Sequence, residues 1–222
     1  MQAAPETIHL KTDVSVQKKQ FDVFDGDLSE ERLQHYMKKP VLAIDTETRG
    51  LNIHRDRLCL VQMCDDEGVL SIVKIKKGTD AANLRKLMAN KNVVKLFHFA
   101  RFDVAVMKHY LQVDVAPIWC TKIASKLVRT YTDRHSLKDV TRELMGIELD
   151  KTDQSSDWAR EDLSESQMEY AANDVRNLIE IQRKLKLMLD REGLTDLAQK
   201  LFDFLPTVAQ LDLGGWQNVF EH

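Results

Sequence analysis

Cysteine is scarce in this chain. Its three copies, Cys59, Cys64 and Cys120, are odd in number and lack CxxC spacing. That pattern speaks against a disulfide framework or a zinc knuckle and predicts reduced thiols in the core of a cytoplasmic protein. No apolar run approaches the roughly 18–20 residues that a membrane-crossing helix requires. The opening MQAAPETIHLKTD has neither a basic patch nor an apolar stretch, so it does not read as a signal peptide. An excess of one charge is missing as well: 32 basic against 35 acidic residues leave a formal net charge of −3. Such a balance disfavours coating long nucleic acid by charge alone. It leaves a metal-dependent nuclease open, because bound cations invert the local field of clustered acids.

What the chain does contain is enough for one core. Of 222 residues, 43% are apolar and 30% charged, the mixture of a globular protein. Residues 1–18 are polar and aperiodic and are expected to form a flexible tail, with 19–222 as one domain. Strands are predicted at FDVF (21–24), PVLAIDTET (40–48), LCLVQM (58–63), VLSIVKI (69–75) and NVVKLFHF (92–99). Helical spacing appears at 29–37, opened by Ser29, and again at 81–88 and 100–111. Beyond Thr121 the pattern is helical: TKIASKLVRTY, then SLKDVTRELMG between Ser136 and Gly146, then one long helix from Ser164 to Arg191. Strands that give way to alternating strands and helices predict an α/β fold, a mixed central sheet flanked by helices.

Three groups of residues carry chemistry. Asp45 and Glu47 lie two apart at the end of the strand VLAID, so both carboxylates reach the same side of the sheet. They are either a cation site or simply the solvated end of the strand. Asp103 follows a buried strand in the first turn of a helix, where an acid also suits the helix dipole. Tyr170 and Asp174 are one turn apart on a helical face that is otherwise apolar. His98 reads as a satisfied histidine at a strand end, since no partner has metal-ligand spacing.

Taken in order, DTE, HxxxxD and YxxxD resemble the three exonuclease motifs of the DEDDy branch of the DnaQ-like superfamily, with its ribonuclease H-like fold. The stretch QSSDWAREDLSESQMEYAANDV is similar to the third-motif region of ribonuclease D. HRDRLCLVQ, KLFHFARFD, CTKIASKLVRTYTDRHSLK, QSSDW and LDLGGW resemble the nanoRNase C group, compact relatives that finish off dinucleotides. The likeness runs from about Phe21 to Trp216.

The resemblance implies hydrolysis with two divalent cations, Mg2+ or Mn2+. Asp45 would bridge both ions, Glu47 and Asp174 would hold the nucleophile-side ion, and Asp103 would support the other. Tyr170 would orient the attacking water and help to deprotonate it. Leu51, just after the first motif, is either a wedge between the last two bases or a loop leucine folded on the core. Thr46, His98 and Phe102 are expected at the substrate; Phe97 reads as strand core, and Phe99 either lines the pocket or belongs to that core, with core the preferred reading. Basic residues gather at His54, Arg55 and Arg57 and at Lys122, Lys126, Arg129, Arg134 and His135. Taken singly, each reads as part of a solvated face. The resembling group caps a 5′ phosphate with such residues, and Arg134 or His135 is the candidate here. Trp158 is expected to anchor the loop before the long helix. The apolar segment LFDFLPTVAQLDLGGWQNVF packs on its own domain or forms a subunit interface. The resemblance favours a homo-oligomer, an octamer in that group. Short RNA such as dinucleotides is the expected substrate, with no membrane partner. The alternatives are ribonuclease D-like trimming of longer RNA, a DNA exonuclease, and a non-catalytic nucleic-acid-binding domain. Full-length ribonuclease D has further helical domains for which 222 residues leave no room, which favours short substrates.

Overall fold

The computed structural model describes residues 21–150, 153, 156–216 and 218–220. The predicted tail over 1–18 lies outside the described residues, as do Gln154 and Ser155 of the QSSDW stretch. Six strands form one sheet: β1 (Asp22–Asp25), β2 (Val41–Thr48), β3 (Leu58–Cys64), β4 (Leu70–Lys74), β5 (Val94–Phe97) and β6 (Ile118–Cys120), in the order β1-β4-β3-β2-β5-β6. β3 runs antiparallel to both β2 and β4; the β1–β4, β2–β5 and β5–β6 pairs are parallel. The mixed sheet is therefore as predicted. Its β3 is buried along its whole length, which explains the near-continuous apolar run LCLVQMC.

The helices are α1 (Glu30–Tyr36), α2 (Ala82–Ala89), α3 (Ala100–Leu111), α4 (Thr121–Val128), α5 (Leu137–Met145), α6 (Glu165–Arg176), α7 (Leu178–Arg191) and α8 (Thr195–Leu213). Ser29, Ser136 and Ser164 cap α1, α5 and α6, the last in a full capping box with Gln167. The long helix predicted from Ser164 to Arg191 is two helices. They meet at Asn177, a poor helix-interior residue. The break lets α6 lie on the sheet while α7 packs against α4, α5 and α8. β6 was not predicted, because three residues after Pro117 are too few to show a period.

Alternation along β2 assigns its side chains to two layers. Leu42 and Ile44 join the larger core beneath α1, α2, α3 and α8; Ala43 joins the smaller one beneath α6. All three cysteines are buried and free, as expected. Lys95 is fully buried, and its ammonium donates to the carbonyls of Asn90, Val93 and Ala116 at 2.5, 2.7 and 2.5 Å. Burial pulls its pKa down to about 7.

Candidate active site

Because Asp45 and Glu47 share a face with Ala43, they point toward α6, the helix that carries Tyr170 and Asp174. Carboxylate oxygens of Asp45, Glu47 and Asp174 lie within 4.8 Å of one another. Thr46 points to the opposite face and meets α3, donating its hydroxyl to Asp103 Oδ1 at 2.6 Å. Asp103 itself is buried. The four acids thus arrive from one strand and two helices, and each helix stands on its own face of the sheet.

These acids repel one another. Burial first, then the charges of Asp103, Asp174 and Glu47, push Asp45 well above the usual carboxylate range. Glu47 shifts the same way, through burial and then Asp174 and Asp103. Burial raises Asp103 to about 7 against the opposing hydrogen bond from Thr46. Tyr170 is also held above its ordinary value, by burial and then by Asp174, Glu47 and Asp45. Trp158 packs its ring 5.9 Å from that of Tyr170 and is buried, so it anchors the loop before α6 as predicted. A cluster of this kind calls for positive charge. Oxygen donors at this spacing fit hard divalent cations. A second grouping, His35, Asp65 and Glu67, is already neutralised from within by the Lys39 ammonium, 2.6 Å from Glu67 and 3.5 Å from Asp65.

A cleft of about 220 Å³ opens beside the acids. Asp45, Tyr170 and Asp174 form one side; Phe99, Leu137, Lys122 and Lys138 are among the residues that complete it. One part of the lining is therefore anionic, and the rest offers an aromatic ring, two ammonium groups and the carboxylate of Asp150. Phe99 is 48% exposed, with the Lys122 ammonium 4.2 Å from its ring centroid. Of the two readings of Phe99, the preferred one, strand core, is thus corrected in favour of the pocket. β5 stops at Phe97, and Phe99 turns outward as the residue preceding α3.

The other predicted substrate residues fare differently. His98 lines the cleft. Both its ring nitrogens are engaged, with Thr121 Oγ1 at 2.8 Å and the His135 carbonyl at 3.0 Å, so it acts as a fixed wall. Phe102 is half-buried against the larger core and lies outside the cleft lining. The hydroxyl of Thr46 is committed to Asp103. Leu51 is 85% exposed, which removes the reading that it folds on the core; it does not line the cleft. Arg134 is exposed and likewise outside the lining. His135 is half-buried, its Nδ1 2.9 Å from Ser125 Oγ.

Arg129 departs most from expectation. Far from a solvated face, it is fully buried. Its guanidinium donates to Ser125 Oγ and to the Arg134 carbonyl, both at 2.8 Å, and to both carboxylate oxygens of Glu143 at 3.1 and 2.5 Å. Arg129 thereby ties the 129–135 loop to α4 and α5, and through Ser125 and His135 to the His98 wall.

The family model for 3′-5′ exonucleases matches residues 21–190. The chain belongs to the 3′-5′ exonuclease family. Ribonuclease D of Nitrobacter hamburgensis is 30% identical over 181 residues, 82% of this chain and 46% of that protein. DNA polymerase I of Aquifex aeolicus is 33% identical over 201 residues, 86% of this chain and 33% of that protein. The exonuclease thus spans about half or less of the length of these curated relatives. Solved structures of Brucella melitensis NrnC match more fully, at 46% identity and a TM-score of 0.87, covering 91% of this chain and 98% of that one. NrnC with bound Mg2+ has a TM-score of 0.86, and NrnC bound to pGG has 0.85. The exonuclease is of the NrnC type, with the DnaQ-like, ribonuclease H-like fold that Escherichia coli RNase D shares at a TM-score of 0.75 and 23% identity.

Proposed function

We propose that this exonuclease hydrolyses diribonucleotides and other very short RNAs from the 3′ end, releasing nucleoside monophosphates. The observation that carries this reading is the likeness to Brucella NrnC bound to pGG, 46% identical over the whole of that chain. The cleft supports it. An anionic side next to an aromatic ring and two ammonium groups, which outnumber the one further acid there, Asp150, suits a small molecule with a scissile phosphate, a base and a terminal phosphate.

Asp45, Glu47 and Asp174 would hold divalent cations, Mg2+ or Mn2+, with Asp103 supporting from behind. When bound, two such ions activate water and stabilise the leaving 3′-oxygen of an in-line displacement. Tyr170 stands one turn from Asp174 and keeps its proton, so its hydroxyl orients the attacking water by a hydrogen bond. Thr46 holds Asp103 in a single orientation. Phe99 offers its exposed face to a base, and Lys122 and Lys138 offer charge to the phosphate farthest from the acids.

The exposed apolar side chains near the C-terminus, Phe204, Trp216, Val219 and Phe220, are assigned to a contact between copies of the chain. The decisive experiment uses purified protein, Mn2+ and 5′-labelled RNAs of two to seven nucleotides. Dimers cleaved much faster than heptamers support the reading; equal rates overturn the short-RNA claim and favour trimming of longer RNA.

A further inference from the structure

Away from the cleft, two depressions join into one basic groove. The larger, about 440 Å³, lies between the loop that follows β2 and the loop that follows β4. Its lining includes Arg49, His54, Arg55, Arg57, Lys76 and Lys77 and contains no carboxylate. The smaller, about 260 Å³, shares Arg57, Lys76 and Lys77 with it and adds Lys74 and Arg160 against a single acid, Glu161. In a chain of net charge −3 this is a strong local reversal.

The cations differ in their commitments. Arg55 is paired with the buried Asp56, and Arg57 donates to the carbonyls of Ile75 and Ala159 at 2.9 and 3.1 Å, which fixes the floor. Arg49, Lys74, Lys76, Lys77 and Arg160 make no ion pair among the described residues. Aromatic surface is interleaved with them. Tyr110 lines the larger depression, and the His54 ring meets that of His109 at 5.2 Å. Position matters too. Glu47 pairs with Leu60 and Leu60 with Lys74, so Lys74 and Glu47 share a sheet face, about 10 Å apart across two strand spacings.

We infer that this groove anchors single-stranded RNA longer than the substrate of the cleft, through its sugar-phosphate backbone. Unpaired cations along an open track, with rings between them, are the chemistry that holds a strand without reading its sequence. A free nucleotide is the poorer fit, because two joined, open depressions extend the charge beyond one small ligand. The inference rests on the exonuclease reading only for the class of partner. It adds a second, non-hydrolytic contact that would keep the enzyme on decaying RNA while the cleft takes the short products.

The test measures binding and hydrolysis separately. Binding of a fluorescein-labelled 12-mer RNA is followed by anisotropy in EDTA across a salt series. Hydrolysis of a diribonucleotide is followed in Mn2+. Five unpaired cations predict a slope of log K against log salt of about −3.5. Lys76→Glu/Lys77→Glu is expected to weaken 12-mer binding at least tenfold and to flatten the slope by about 1.4. Dinucleotide hydrolysis should stay within twofold of the unsubstituted protein. Lys184→Glu/Lys200→Glu, with the same charge change on α7 and α8, should leave 12-mer binding intact. Unchanged 12-mer affinity in the first variant, or an equal loss in the second, overturns the inference. A groove that binds ATP but not the 12-mer overturns it too. Absence of dinucleotide hydrolysis in the unsubstituted protein would strike the proposed function and leave the 12-mer result readable.

Discussion

Replacing Arg129 with methionine removes the guanidinium and keeps most of the buried stem. Four hydrogen bonds go with it: two to Glu143, one to Ser125 Oγ and one to the Arg134 carbonyl. Their values are unequal. Breaking a fully buried ion pair costs about 3–5 kcal/mol. Glu143 is 40% exposed and regains water, so its share falls to about 1 kcal/mol. Ser125 keeps His135 as a partner and is not orphaned. The Arg134 carbonyl loses its side-chain donor, at about 1–3 kcal/mol. The sum is about 2–4 kcal/mol, or a fall in Tm of about 8 °C at this chain length. The loop that carries Arg134 and His135 is then released from α4 and α5. KM for a diribonucleotide should rise severalfold while kcat changes little, because no group beside the acids has moved. Urea denaturation and steady-state kinetics check both halves. A variant within 0.5 kcal/mol of the original on the scale of such measurements, or one that loses kcat at unchanged KM, would refute the reasoning.

Other outcomes follow from the same geometry. Phe99→Ala removes the exposed ring of the cleft; stacking worth about 1–3 kcal/mol per base predicts a KM for dinucleotides raised about tenfold, with the melting temperature held. Asp103 titrates near pH 7 in the folded chain, and near 4 when unfolded. The folded chain therefore binds the extra proton between those values, and metal-free stability falls as pH rises from 5 to 7. Thermal melts should show this fall relative to Asp103→Asn, and saturating Mn2+ should flatten it; a relative rise would contradict the account. Lys95 behaves oppositely: its folded pKa of about 7 lies below the unfolded value near 10.4, so its stabilisation grows from pH 7 to 10 and is lost as pH falls through 7. Denaturation curves of the chain and of Lys95→Met should diverge over that window.

Much of this was legible in the residues themselves. Apolar runs bounded by acids or turns located five of the six strands, and serine caps located three helix starts, because both signals are local. The acid trio was legible through a two-residue spacing on β2 and a four-residue spacing on α6 that the fold brings to one sheet face. What escaped depended on tertiary context. Phe99 had two readings, pocket or strand core, because NVVKLFHF reads as one buried strand, and only the end of β5 at Phe97 turns Phe99 into the cleft. Arg129 sat in a basic run that resembled a solvated face; its burial is set by Glu143 and the Arg134 carbonyl, fourteen and five residues away. Asn177 gave only a weak break signal inside a long helical pattern, yet it separates the helix of the site from the helix of the core.

The central claim is that Asp45 and its neighbours form a cation-dependent hydrolytic site. Asp45→Asn keeps the side chain's shape and removes one of the mutually repelling charges. The measurement is diribonucleotide hydrolysis in Mn2+ with a thermal melt of the same sample. The account predicts activity lost below detection, a metal-free melting temperature equal to or above that of the original chain, and a much smaller shift on adding Mn2+. Hydrolysis that persists at a comparable rate in a folded Asp45→Asn chain would contradict it.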